Sequence, residues 1–294
     1  MKHNIPYLIN LPPFLIKDLE EGETKGLNLV ILIIKGKFLS FVINNTKQKL
    51  FCYIINFFFK KDGKIEYRDN FYIKETINGE KIYFPNKRIL RIVKNLNSHL
   101  QRLYSSYCLD DIQFSSGDVV VDCGANVGEL NLAFKFKGKD IEYIAFEPDY
   151  ETFKCLQINS SRHKNSIHNV ALSDTDGKTT LYLDSDGGNS SVVDFGSEQK
   201  VEVLSSRLDS MKIKNNIKLL KIEAEGFEPE VLIGGSNTLK SIEYISIDFG
   251  AERGISQEMT IVDCNKLLYN NNFELISFSE YRLIGLYRNS NIRN

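Results

Sequence analysis

Histidine and cysteine are both scarce in this chain, and neither is clustered. The four histidines are His3, His99, His163 and His168, and the five cysteines are Cys52, Cys108, Cys123, Cys155 and Cys264. The cysteines are odd in number, and none falls in a C-x-x-C or among histidines. That excludes a disulfide framework and a structural zinc site by pattern, and it fits reduced thiols in the cytoplasm. Net charge is also nearly absent, at −1, so no overall field draws the protein to nucleic acid. Long uninterrupted apolar runs are missing too. The greasiest stretches, LVILIIKGKFLSFVI and LFCYIINFFF, are broken by lysines or turns short of the ~20 apolar residues of a membrane span. The opening MKHNIPYLINLPPFLIKDLEEGE carries proline and acids where a signal peptide needs a clean apolar core. A soluble protein without a transmembrane segment is the expectation, and no internal repeat or low-complexity tract breaks the chain.

What is present is material for a large core: 294 residues, 42% hydrophobic and 26% charged, enough for one large domain or two moderate ones. Charge is uneven along the chain. Residues 1–115 hold 18 Lys and Arg against 11 Asp and Glu, and residues 116–294 hold 19 against 27. The shift suggests an accessory region over 1–115 and a second domain over 116–294. A basic first part suits an anionic substrate, a membrane surface or an ordinary solvated face.

Residues 27–84 are rich in β-branched and aromatic side chains, punctuated by KG, NNT, KDG and NGE, and predict an antiparallel β-rich region. Over 86–107 the apolar residues Ile89, Ile92, Val93, Leu96, Leu100, Leu103 and Tyr104 change to helical spacing, predicting a connecting helix. From Asp118 strands and helices alternate. The strands DVVVDC, IEYIAFE, SIHNVAL, IKLLKIEA and EYISIDF are apolar throughout, as in a parallel sheet covered on both faces. FELISFS and RLIGLYR follow with a link too short for a parallel crossover, so they predict a closing antiparallel pair. TTLYLD and KVEVLSS are shorter strand-like pieces between the third and fourth strands. Seven strands make up the expected α/β sheet.

In such sheets ligands bind beyond the C-terminal ends of the strands. The turn after the first strand runs Asp122-Cys-Gly-Ala-Asn-Val-Gly128, with glycines at Gly124 and Gly128 and Asn126 between them. The dinucleotide fingerprint G-x-G-x-x-G is absent. An acidic residue, Asp122, at the mouth of the turn repels phosphate and favours an ammonium or sulfonium cation, which points to S-adenosylmethionine. Glu147 ends the second strand 19 residues beyond Gly128, close to the offset at which a carboxylate grips ribose hydroxyls. The third strand end, Asn169 to Asp174, is where adenine would lie, with Ala171 and Leu172 offering backbone groups and an apolar edge. Each feature alone is ordinary: a tight βα turn, a solvated glutamate.

In order along the chain, DVVVDCGANVGE, YIAFEPD, HNVALSD, NSSV, KLLKIEAEGFEPEVLIGG and EYISIDFG resemble the blocks of FkbM-type S-adenosylmethionine-dependent methyltransferases, over about residues 116–288. The resemblance implies a Rossmann-like seven-stranded sheet, mostly parallel with the last strand antiparallel. It also implies O-methylation, often of a sugar or natural-product hydroxyl. Family members usually carry Asp where this chain has Glu223, which keeps the charge on a side chain one methylene longer.

Methyl transfer to a hydroxyl needs the oxygen in line with the S–CH3 bond and a route for its proton. The histidines do not fall in the predicted strand-end turns, His168 coming nearest, so carboxylates are the candidates. Glu225, beside Gly226, is the first choice as base or substrate orienter. Glu223 is the choice for positioning cofactor or substrate, and Glu228 shares the block as a catalytic candidate. Glu228 and Glu230 equally suit the first turn of the helix EPEVLIGG, where acids match the macrodipole. Asp248, ending SIDFG, is a candidate for the site wall. Ser185 to Val192 reads as a covering loop or as a plain surface turn. Paired carboxylates also suit a divalent cation, but nothing has a distinctive metal spacing and none is assigned.

The leading expectation is an O-methyltransferase acting on a small-molecule or glycan acceptor, with residues 1–115 recognising substrate or forming a homodimer. Against it stand a catalytically degenerate cofactor-binding module and a NAD-dependent oxidoreductase.

Overall fold

The computed structural model describes residues 8–292 apart from 9, 18, 20, 162–164, 185–189, 214–215 and 280–281. His3, His163 and most of the Ser185–Val192 block therefore lie outside the described residues. The chain divides into two compact units, Met1–Leu96 and Asn97–Asn294, a division earlier than the charge shift had placed it.

The first unit begins with a single turn α1 (Pro13–Ile16), then two helices, α2 (Gly26–Asn45) and α3 (Gln48–Phe58). Residues 26–58 are thus helical and not the β strands their composition suggests. Along α2, apolar around its whole circumference, there is no 3.6-residue contrast to read, and its Val, Ile and Phe content mimics a strand. Helix α3 does bury Phe51, Cys52 and Ile55 at helical spacing, a contrast masked by its aromatic and β-branched content. Gly36, which looked like a turn, sits inside α2 because Leu11 packs over it: an added Cβ would come within 2.6 Å of the Leu11 side chain. The true end comes at Asn45 and Thr46, whose side chains donate back to the carbonyls of Phe41 and Val42. By length and composition α2 is long and apolar enough to cross a membrane, which a reading as broken strands did not foresee.

The predicted antiparallel sheet does exist, but only from residue 64 onward. Strands β1 (Lys64–Arg68), β2 (Phe71–Glu75) and β3 (Lys81–Phe84) pair in that order. The side-chain amide of Asn56 on α3 exchanges both hydrogen bonds with the backbone of Ile65. The helix expected over 86–107 is two pieces, a 3-10 stretch at Lys87–Ile92 capped by Asn86, and α4 (Leu96–Ser106).

The second unit is built on seven strands: β4 (Asp118–Cys123), β5 (Ile141–Phe146), β6 (Ser166–His168), β10 (Ile217–Ile222), β11 (Ile242–Asp248), β14 (Phe273–Phe278) and β15 (Ile284–Asn289). Their spatial order is β14-β15-β11-β10-β4-β5-β6, with only β15 antiparallel to its neighbours. This is the mostly parallel seven-stranded α/β sheet expected from the sequence. Connection order reverses between β4 and β10, which opens the crevice beyond their C-terminal ends.

Alternation along β4 sets the site. Val119, Val121 and Cys123 join the main core with Ile222, Ile245 and Phe249, while Val120 and Asp122 face the other side. Each buried valine stabilises the fold by about 1.5–3 kcal/mol. The helix α5 (Glu129–Phe136) covers that other side, its Phe134 held edge-on between Tyr104 and Phe114. All five cysteines are buried free thiols.

Three shorter strands, β7 (Ala171–Leu172), β8 (Gly177–Tyr182) and β9 (Lys200–Ser206), form a separate sheet in the order β7-β9-β8. Helices α6 (Tyr150–Ser160), α7 (Glu228–Gly234) and α8 (Ile261–Asn270) and the small pair β12 (Ala251–Arg253) and β13 (Glu258–Met259) complete the unit.

Candidate functional site

The turn after β4 is closed on itself. The amides of Gly124 and Ala125 both donate to the Phe146 carbonyl at 3.0 Å. That of Asn126 donates to Glu147 Oε2 at 2.9 Å, that of Val127 to Asn126 Oδ1, and that of Gly128 to the Ala125 carbonyl. All five amides from Gly124 to Gly128 are therefore used inside the protein. A phosphate cradle needs such amides pointing at the ligand, so this turn is not one. Gly124, Asn126 and Gly128 all have positive φ, at 74°, 50° and 87°. At Gly124 the requirement for glycine is doubled, because an added Cβ would lie 1.9 Å from the carbonyl oxygen of Glu223.

Glu147 stands beside this turn with its two oxygens turned by backbone amides, Oε2 by Asn126 and Oε1 by Asp149 at 3.0 Å. Burial pushes its carboxyl up to about 7, against the pull of those two amides. Each oxygen keeps a second lone pair, so the carboxylate can accept a diol while the turn fixes its orientation. Asn169, which the sequence suggested only as the start of a block, donates from Nδ2 to the carbonyls of Glu147 and Pro148 at 2.9 Å. His168 stacks on Phe146, with ring centroids 5.0 Å apart.

Ala171 and Leu172 lie elsewhere than expected. Asn169 ties the chain to the end of β5 and ends β6, so Ala171 and Leu172 pair with Ser205 and Ser206 of β9 in the second sheet. Both are buried, Leu172 in the main core. The groups that flank Glu147 are Asn169 and His168 instead.

Asp122 does not stand open at the mouth of the turn. Its side chain is buried, accepts a hydrogen bond from the Tyr143 hydroxyl, and meets Lys221 Nζ at 3.0 Å. The cation it attracts is this lysine. Lys221 sits opposite it on β10 and donates to the carbonyls of Cys123 and Gly124 at 3.1 and 2.7 Å. Burial alone would lower the Lys221 pKa, but Asp122, Tyr107 and Glu223 together hold it well above the usual lysine range.

Around Glu223 the ends of β10 and β11 carry a tight charge network. Glu223 accepts from the Tyr107 hydroxyl and from Arg282 Nη2 at 2.5 Å, and lies 3.4 Å from Lys221. Arg282 also donates to Asp248. Burial opposes ionisation of Glu223, yet Lys221 and Arg282 outweigh it and hold the carboxyl well below the usual range. Asp248 keeps less help: burial lifts it to about 6 although Arg282 and the Gly250 amide favour its charge.

The acidic block that follows is sorted by the turn Glu223–Glu228. Glu228 Oε1 accepts from the amides of Ala224 and Gly226, and Oε2 from the Thr260 hydroxyl. It is buried and its carboxyl is pushed up to about 7 by that burial; its contacts are those of a side chain that shapes the turn. Glu230 forms a bidentate pair with Arg253, which also donates to the Gly226 carbonyl. Glu225 is half-buried at the apex with φ of 50°, and its carbonyl accepts from Ser191 Oγ at 2.7 Å. A non-glycine residue in the left-handed region is strained, and such strain concentrates at functional sites. Ser191 belongs to the NSSV block, so this part of the block secures the turn.

Tyr107, Lys221 and Arg282 were missed from sequence. Lys221 carried a signal, a lysine within the otherwise apolar run IKLLKI. Tyr107 and Arg282 carried none.

The donor set fits a phosphate-free nucleoside: all five amides of the turn Gly124–Gly128 are used inside the protein, and the oriented carboxylate of Glu147 stands beside it. Comparison with known proteins agrees. Residues 122–275, more than half of the chain, match the model of the methyltransferase FkbM domain. Methyltransferase 1 of Beauveria bassiana is 28% identical over 161 residues, covering 46% of this chain and 65% of that protein. Methyltransferase sdnD of Sordaria araneosa is 27% identical over 172 residues, covering 46% of this chain and 66% of its own length. The chain thus spans slightly less than two thirds of either relative. From the FkbM match and the strand-end geometry together, the chain belongs to the FkbM methyltransferase family.

Proposed function

We propose that the protein transfers the methyl group of S-adenosylmethionine to a hydroxyl of a sugar, a polysaccharide or glycolipid precursor, or a related metabolite. The observation that carries the choice of cofactor is the closed turn Gly124–Gly128, which has no amide to offer a phosphate. When bound, S-adenosylmethionine supplies an electrophilic methyl group on a sulfonium.

The chain's own residues have distinct parts in this reading. Glu147 accepts the ribose hydroxyls, and Asn169 fixes the backbone beside it. Glu223, locked anionic by Lys221, Arg282 and Tyr107, positions charge at the end of β10 and is a poor proton acceptor. Glu225, at the strained apex, orients the acceptor hydroxyl and takes its proton. The carboxylates of Glu223, Glu225 and Asp248 with Arg282 suit an acceptor rich in hydroxyls, since each offers directed polar groups.

Calorimetry should show S-adenosylmethionine and S-adenosylhomocysteine binding and NAD failing to bind; NAD binding without either adenosyl ligand would sink the reading. Glu225→Gln is expected to keep cofactor affinity while transfer to a hydroxyl-bearing glycan panel falls by about 10²–10⁴-fold. Unchanged turnover would remove Glu225 from the mechanism, and no transfer by the wild-type chain to any acceptor would favour a binding module.

Glu147 adds a pH signature. Only its ionised form accepts from both ribose hydroxyls, and its carboxyl titrates at about 7. Adenosyl-ligand affinity should therefore rise with pH through that value, by up to about tenfold per unit below it. The same raised pKa works against the unliganded fold, whose stability from this group is present at low pH and lost as pH rises through about 7. Titration calorimetry across this range would test it, with Glu147→Gln expected to flatten the profile; a wild-type affinity independent of pH would contradict the assignment.

A further inference from the structure

Residues 25–61 carry seven lysines and no Asp, Glu or Arg. This acid-free stretch is α2 and α3, with Lys25 before the first helix, Lys47 and Lys49 around the joint, and Lys60 and Lys61 after the second. Along α2 the side chains of Leu27, Ile31, Ile34, Phe38 and Phe41 are exposed, spaced four, three, four and three residues apart. That spacing makes one continuous stripe on a helix. On α3 the exposed Leu50, Tyr53 and Phe57 repeat the pattern, and Phe38 and Phe58 bring the helices together with ring centroids 5.8 Å apart. Leu27, Tyr53 and Phe57 each keep about three quarters of their surface in water, at 74%, 76% and 77%. Apolar area of this extent, left open on two neighbouring helices, marks an interaction surface.

We propose that this helix pair docks on an anionic lipid bilayer, lying along its interface with the apolar stripe among the upper acyl segments and the lysines among the headgroups. Charge decides the occupant. An apolar stripe on a stretch that carries seven lysines and no acid of its own complements a surface that is apolar inside and negative outside. A second copy of the helix pair has the right spacing but would set lysines against lysines. The helix lies along the membrane and does not cross it, because its other flank is already covered by its own unit. Leu32 packs with Leu8 and Leu11, Gly36 lies under Leu11, and Leu39 and Val42 are buried. Exposed Lys37, midway along α2 between Ile34 and Phe38, would stand at the bilayer centre in a spanning helix; lying flat, it reaches the headgroups.

Flotation of the full chain with phosphatidylcholine vesicles, with and without phosphatidylglycerol, tests the proposal. Binding to the anionic vesicles should be stronger by about tenfold or more, and should weaken with salt. Ile34→Glu with Phe41→Glu changes exposed positions, so the circular dichroism and melting should be retained while flotation is lost. Lys47→Glu with Lys49→Glu should remove the preference for phosphatidylglycerol. Absence of flotation with either vesicle, or equal flotation with both, would overturn the proposal. So would a dimer by analytical ultracentrifugation that the Ile34→Glu, Phe41→Glu chain no longer forms, since a second copy would then cover the stripe.

Discussion

Gly124→Ala is expected to lower adenosyl-ligand affinity by about a hundredfold or more, because it displaces the turn on which the proposed cofactor seat is built. Two independent effects act at this one atom. The backbone φ of 74° is left-handed, which costs an L-residue about 1–2 kcal/mol. In addition the new Cβ would stand 1.9 Å from the Glu223 carbonyl oxygen and 3.1 Å from its carbonyl carbon. Those are backbone atoms at the end of β10, so no side-chain rotation relieves the contact. Either the turn lifts away from Phe146, breaking its hydrogen bonds to the Phe146 carbonyl and the one from the Asn126 amide that orients Glu147, or Glu223 shifts out of its network with Arg282 and Tyr107. Gly138→Ala provides the control. Gly138 also has positive φ, at 65°, but nothing lies within 4 Å of its added Cβ. It should lose about 1–2 kcal/mol of stability and keep ligand affinity. Calorimetry and thermal melts on both variants would separate strain from collision; wild-type affinity in Gly124→Ala would mean the turn does not hold the ligand.

The contrast between these glycines also shows what the linear sequence displays and what it hides. The strand–turn–helix around Asp122–Gly128 was legible because β4 is buried on both faces and two spaced glycines punctuate its end. The closing hairpin was legible because its link is short. Residues 26–45 were not, since a helix apolar all round removes the periodic contrast that separates helix from strand, and over 48–58 aromatic and β-branched content masked a contrast that was there. In the site, residue types were easier to read than surroundings. Asp122 is indeed a carboxylate at the strand end, but its partner is 99 residues away on β10, and without Lys221 in view it looked like a group waiting for a ligand's cation. The third strand hid a similar event. Asn169 turns back to the Glu147 and Pro148 carbonyls, so Ala171 and Leu172 enter another sheet. Glu228 had two sequence readings, catalytic acid or first-turn acid. It does stand in the first turn of α7, and its bonds to the Ala224 and Gly226 amides add a part that the linear sequence hid, folding the turn that presents Glu225.

Lys221→Met should destabilise the second unit by about 3–5 kcal/mol, the cost of stripping the partner from a buried charge. Lys221 and Asp122 are both almost fully buried, with side-chain exposures of 3% and 1%, so solvent cannot replace the lost partner. Among the described residues, Asp122 would keep the Tyr143 hydroxyl, and Glu223 would lose Lys221 and keep Arg282. The turn carbonyls of Cys123 and Gly124 would lose their donor as well. The acid response distinguishes this account from a simple loss of packing. In the wild type the depressed Glu223 carboxyl contributes stability above the ordinary carboxylate pKa of about 4.3, and that contribution is lost as pH falls through its lowered folded value. In Lys221→Met one of the two cations that depress the Glu223 carboxyl is gone, so less of that contribution is present to lose, and the gap to wild type narrows as pH falls. The double change Lys221→Met, Asp122→Asn removes both charges and should recover a large part of the loss, because no buried ion is then left unpaired. Urea unfolding midpoints of the three chains at neutral and mildly acid pH would measure each term. Equal stability of Lys221→Met and wild type, or a gap that widens on acidification, would contradict the view that this buried pair braces the turn from behind.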